Sequence, residues 1–303
     1  MRNYGLIEST PNPTDWILGK EGTREVLQKD RDWSQFLPSP ELQYIPSFDT
    51  YACVTFSAWN CIETLVKRKY QIELNKSDRF TAKMSDTIPL QGNTLNKVGD
   101  SIRNHWSVEE KRWPFTVKTS EEYYVEIPEE ISDEAEKEKN CTVEYRWVGW
   151  NGCEIENLWD ALAFGPLQVT VQTWGEFKDG KFQKPKTNET NHAVMIFKGK
   201  YGEFWQVYDH YDQIIKTLAW DYYFGSAMQY SLKKNMMELI KGDQRSQVFA
   251  IDNKGNRRYI YNEAQFIEGR EIGLWGDWKD IETKQQSEVD ALPEASPIIF
   301  GLK

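Results

Sequence analysis

The sequence predicts an α+β protein of two lobes followed by a small β-rich module. Three observations predict it. Helical periodicity dominates the first half of the chain, and short strand-like runs dominate the second. A separate hairpin signal with its own tryptophans follows residue 233. With 303 residues, 39% apolar and 28% charged, the chain is long and apolar enough to bury a core.

Residues 1–35 are polar, are punctuated by Pro11 and Pro13, and read as an extended N-terminal leader. Pro38, Pro40 and Pro46 frame a loop that ends in Phe48-Asp49-Thr50. A helix follows over 51–68, because Val54, Ala58, Cys61, Ile62 and Leu65 recur at helical spacing. Asp49 or Thr50 caps its start, and Lys67-Arg68-Lys69 suits the negative end of its dipole. A second helix is expected over 94–104. The stretch 119–139 is dense in Glu and Asp and reads as a solvated insertion. A third helix over 156–164 is stopped by Gly165-Pro166. Strands are expected at 167–173, 193–197 and 204–208. Beyond 233, QVFAID and RRYIYN flank Asn253-Lys254-Gly255-Asn256, a hairpin signal, and Trp275 and Trp278 offer anchors for a small core. The organisation expected is therefore an extension (1–35), a main domain (36–232) and a C-terminal β-rich accessory module (233–303).

The net charge of −10 argues against nucleic acid as a partner. No run of about 18 apolar residues suggests a membrane span. The N-terminus lacks the apolar region of a secretory signal, so a cytoplasmic or virion-associated setting is expected over classical secretion. The four cysteines contain no C-x-x-C, and the three histidines have no metal-binding spacing, so neither metal nor cofactor is expected. Thirteen Trp, 15 Tyr and 14 Phe supply aromatic anchors; those at 147, 150, 159 and 174 are expected mostly in cores, with one or two flooring a cleft.

One constellation carries chemistry. Cys53 falls in the first turn of the 51–68 helix, where backbone N–H groups and the dipole favour a thiolate. His192 opens one strand and Asp209 closes the next. A hairpin folded between residues 200 and 201 sets these two side chains directly opposite each other. A nucleophile, a base and a group that orients the base form the logic of covalent catalysis. By strand alternation His210 points away from His192, toward the surface.

These residues resemble the papain-like cysteine peptidases. His192 follows Cys53 by 139 residues and Asp209 follows it by 156. Cys53-Val54-Thr55-Phe56-Ser57 resembles the family's Cys-Trp-Ala-Phe-Ser, and Trp106 to Glu110 followed by Trp113-Pro114-Phe115 resembles its Gly-Ile-x-x-Glu…Tyr-Pro-Tyr. Gly165-Pro166-Leu167-Gln168-Val169, Asn191-His192-Ala193-Val194 and Phe204-Trp205…Asp209 follow in the family's order, across about 43–232. Two departures stand out. Asp209 replaces the family's Asn, as in its bacterial and phage branch, and Ser47 stands where the oxyanion-hole Gln is expected. Gln43 is the substitute if the Pro46–Thr50 loop bulges.

The resemblance implies a two-lobed papain-like fold, with a helical lobe and a β-barrel-like lobe. It implies a hydrolase acting on a peptide or protein substrate through Cys53, His192 and Asp209, with Gln43 as an oxyanion donor. Two other readings stay open: a cell-wall (peptidoglycan) peptidase or amidase, and an inactive papain-like scaffold. The accessory module is expected to target the chain or dock it to a larger assembly such as a virion or cell surface.

Overall fold

A computed structural model describes residues 2–13, 15–17, 26–138, 141–211, 214–234, 238–251, 256–271, 275 and 278–295. The turn at Asn253-Lys254-Gly255 and the tail beyond 295 lie outside them. The chain divides into two compact units, 1–139 with 143–232 and 140–142 with 233–303, so the leader belongs to the first unit.

The first unit is mixed α+β. Helix α1 (Cys53–Tyr70) starts at Cys53, with Ala52 as its N-cap and no side-chain cap. Asp49 and Thr50 accept instead from the N–H groups of Tyr51 and Ala52, just outside the helix. Residues 53–66 of α1 are buried on every face, so it is a core helix. α2 (Asp78–Met84) and α3 (Leu95–His105) pack against it, and the hydroxyl of Thr94 caps α3. The acidic stretch holds two short helices, Ser120–Tyr123 and α4 (Glu129–Glu138). It is less solvated than expected, because Tyr123, Ile131 and Ala135 are buried among Phe56, Phe80 and Val108. α5 (Ile155–Leu162) ends just before Gly165-Pro166.

The β part is a nine-stranded sheet. Its main strands are β1 (Cys141–Gly149), β2 (Leu167–Val171), β3 (His192–Lys200), β4 (Phe204–Tyr208), β5 (Ile215–Ala219) and β6 (Phe224–Lys234). Their order is β1-β6-β2-β3-β4-β5, with short strands outside both ends. α1 packs on β2 and β3. Gln168 on β2 pins the first turn of α1, its Nε2 donating to the Val54 carbonyl at 2.7 Å and to Ser57 Oγ at 2.9 Å. That links the start of the helix, where Cys53 sits, to the strand beside His192.

The second unit carries a five-stranded sheet built on Glu238–Gly242, Val248–Ile251 and Arg257–Tyr259. Trp275 is buried with Leu239, Ala250, Ile260 and Phe266, while Trp278 is half exposed and stacks on Phe266.

Candidate active site

His192 is the first residue of β3 and pairs with Val171 on β2. The β3–β4 hairpin turns through residues 201–203, with Gly202 at a positive φ of 71°. A bulge between Ile196 and Lys198 shifts the register. The last paired residues are Met195 and Tyr208, so the expected register, with 192 directly opposite 209, does not form. His192 and Asp209 meet all the same, because Asp209 leaves β4 and turns its side chain back. His192 Nε2 lies 2.8 Å from Asp209 Oδ1, which also accepts the His210 backbone N–H at 2.7 Å. The other carboxylate oxygen, Oδ2, accepts from Lys216 Nζ at 2.7 Å. Burial pushes the Asp209 carboxyl up, but His192 and Lys216 hold it well below the usual carboxylate range.

Cys53 is the first residue of α1 and is 0% exposed, as is His192. Burial pushes the Cys53 thiol up, with Asp49 and Asp209 adding to the rise, and this outweighs the lowering from the Ala193 and Val54 N–H groups. The helix start therefore does not by itself give a thiolate, because desolvation wins. His192 Nδ1 is buried and has no hydrogen-bond partner among the described residues.

Gln43 is set beside Tyr4 and Tyr211 by a local device. Tyr44–Ile45 pairs with Phe48–Asp49, so residues 44–49 loop out as a hairpin. That brings Gln43 against Thr50, whose N–H donates to the Gln43 carbonyl at 3.1 Å. The buried Gln43 Nε2 donates to the Tyr4 carbonyl, Asp49 Oδ1 and Tyr211 Oη at 2.9–3.0 Å. Ser47 is turned elsewhere, its hydroxyl donating to the Lys118 carbonyl.

Two further neighbours cover the imidazole. The first is the leader itself. Tyr4 donates its N–H to the Asn191 carbonyl at 3.0 Å, and Asn191 Nδ2 donates to the Arg2 carbonyl at 2.6 Å. Arg2 pairs with Asp49 at 3.1 Å. The Tyr4 ring lies 5.1 Å from the His192 ring, and Trp174 lies edge-on at 6.1 Å. Residues 2–6 thus form a strap over the imidazole. Gly5 is required there: it has φ of +110°, and a Cβ would stand 2.0 Å from the Tyr51 carbonyl oxygen. No composition signal marks such a strap, because its contacts join residues nearly 190 positions apart.

The second is His210, which is buried and not at the surface. Its ring lies 5.0 Å from His192 and 5.5 Å from Phe56, and neither ring nitrogen has a partner among the described residues. Alternation failed here because Asp209 and His210 lie beyond the end of the strand. Burial pushes the His210 imidazole down to about 3. It is therefore neutral when folded, and below pH 6.5 the unfolded chain binds a proton that the folded chain does not. His210 thus costs stability progressively as pH falls from about 6.5 toward 3, at about 1.4 kcal/mol per pH unit. Glu110, pushed up to about 7 by burial from 4.5, acts oppositely, because its stabilisation is full below 4.5 and is lost as pH rises through 7. The expected result is that His210→Phe loses less stability than the parent protein between pH 6.5 and 4.5. Urea unfolding at both pH values reads this, and parallel losses in the two proteins would contradict it.

His192, Asp209 and His210 place donor atoms within 4.8 Å of one another. The Asp209 carboxylate is already committed to His192 and Lys216, and the ammonium opposes a cation there.

The chain matches no protein-family model and no curated protein. Its fold is similar to that of solved cysteine proteases. Digestive procathepsin L 3 of Tenebrio molitor larval midgut is 13% identical, with a TM-score of 0.52 and 76% of each chain covered. The bromelain protease from Ananas comosus, solved with the E64 inhibitor, is 17% identical, with a TM-score of 0.50 over 67% of this chain and 98% of that one. Recombinant stem bromelain precursor is 16% identical, with a TM-score of 0.51 over 67% and 70%. The fold is therefore the two-lobed papain-like fold.

Proposed function

We propose that the chain is a cysteine peptidase that uses Cys53, His192 and Asp209. One observation carries the reading. In a papain-like fold, an imidazole is held at Nε2 by a buried carboxylate 2.8 Å away, and its Nδ1 is left without a partner. Cys53 Sγ attacks the peptide carbonyl carbon while its proton goes to His192 Nδ1. The carbonyl electron pair moves to oxygen, which the Cys53 N–H receives, and Gln43 Nε2 joins it only when one of its present acceptors, such as the Tyr4 carbonyl of the strap, is displaced. As the C–N bond breaks, the imidazolium gives its proton to the leaving amine. Water then attacks the acyl-enzyme, His192 takes a proton from it, and the thiol is restored as the acid departs. No residue of 233–303 enters this scheme, and we assign that segment an accessory role.

An epoxide that alkylates activated thiols tests the reading. Mass spectrometry should find it on Cys53 in the native chain and not on Cys61. Absence of native labelling would instead support an inactive scaffold, which the buried, protonated Cys53 thiol favours.

The strap bears on the rate of this reaction. The Tyr4 ring meets His192 and Tyr211, at 5.1 and 5.0 Å. Such ring contacts are worth roughly 1–2 kcal/mol together, or about tenfold in the open population. We expect the double variant R2A/Y4A to alkylate at Cys53 about tenfold faster. An unchanged rate would mean that the strap does not limit access.

A further inference from the structure

Two features remain unexplained: an Asp where the resembled family has Asn, and a lysine buried beside it. Lys216 sits on β5, opposite Val207 of β4, and is 4% exposed. Its ammonium takes Asp209 Oδ2 at 2.7 Å while His192 takes Oδ1 at 2.8 Å. Opposite charges this close, both out of water, offset each other in part at a third group, so the pair presents His192 with a dipole in place of a full negative charge. We propose that Lys216 is a positioning residue of the site: it fixes the Asp209 carboxylate and offsets its charge in part, so that His192 is oriented by an Asp–Lys pair. The inference rests on the triad reading.

Among the described residues, no cationic side chain other than Lys216 and the imidazoles lies against Asp209. The strap brings Tyr4 to His192, and Arg2 of the strap is paired with Asp49. α1 brings Cys53, whose thiol both Asp49 and Asp209 push up. Beyond β4 come the neutral His210 and Tyr211, with Trp174 at the edge. Without the ammonium, Asp209 would bind a proton on His192 more tightly and oppose the Cys53 thiolate. Lys216 limits both effects, so the lysine and the aspartate depend on each other.

The experiment compares the full-length wild type with K216M, D209N and D209N/K216M. Cys53 alkylation by iodoacetamide is followed against pH, and the downfield Nε2–H proton resonance of His192 is followed by NMR. In K216M the alkaline limb of the alkylation profile should move up by about one pH unit, the size of a neighbouring-charge effect. The Nε2–H resonance should also move downfield. In D209N an ammonium faces a neutral amide, and the limb should move down. In D209N/K216M, which holds neither charge, it should return to within about half a unit of wild type. A K216M profile and resonance that superimpose on wild type overturn the proposal. If K216M does not fold, the double variant decides: a wild-type-like profile supports the proposal and a displaced one overturns it. If Cys53 proves no more reactive than Cys61, the peptidase reading fails, while the Nε2–H resonance still reports whether Lys216 governs the Asp209–His192 bond.

Discussion

Cys53→Ala should lower hydrolysis of a fluorogenic peptide by about 10⁴-fold or more, because removing a nucleophile leaves only what substrate binding and oxyanion donors provide. The loss should come without unfolding. Cys53 is a small buried side chain at the first position of α1, and Ala fits a helix well. A melting temperature within a few degrees of wild type would separate lost chemistry from lost structure. Cys61 is not placed to substitute. It lies two turns further along the same helix and is fully buried, with burial pushing its thiol well up. Peptide hydrolysis that survived Cys53→Ala would move the nucleophile elsewhere and remove the central residue of the proposed mechanism.

Asp209→Ala should be nearly as damaging to activity and worse for the fold. The carboxylate is 1% exposed and receives His192, the His210 N–H and Lys216. Truncating it frees the imidazole to rotate away from Cys53, which we expect to cost about 10²–10⁴-fold in rate. It also takes the carboxylate from a buried ammonium, a change worth about 3–5 kcal/mol when one member of a buried pair is removed. Asp209→Asn keeps one acceptor oxygen, which His192 and Lys216 must then share. Its losses in rate and stability should therefore be smaller than those of Ala, and D209N/K216M should be milder still. Activity against a peptide and unfolding in urea, measured on all three variants, give the order. A fully stable Asp209→Ala protein with wild-type activity would show that the carboxylate neither orients His192 nor balances Lys216.

The sequence alone placed α1, α3, α5 and strands β2 to β4, because their signals are local, while α2, β1 and β5 were not among the expected elements. Val54, Ala58 and Leu65 repeat at helical spacing, Gly165-Pro166 ends a helix, and short strand-like runs mark β2 to β4. It also singled out Cys53, His192 and Asp209, since residue type and long-range order along the chain are both written there. What it misjudged depended on pairs of residues far apart. The β3–β4 register differs from the expected one because the hairpin turns through residues 201–203 and not between 200 and 201, and the bulge between Ile196 and Lys198 recovers only one residue of that difference. His210 was sent to the surface because alternation was carried past the end of β4. The helix-start argument for a Cys53 thiolate was local and correct in sign, but burial by the surrounding elements outweighs it. The particular contacts of the strap over His192 and the Lys216–Asp209 pair are not legible in the sequence for the same reason. Each is a contact made only when the packed lobe brings separate segments together and excludes water. Local propensity fixed which elements form, and long-range packing and desolvation fixed how the site among them is charged and covered.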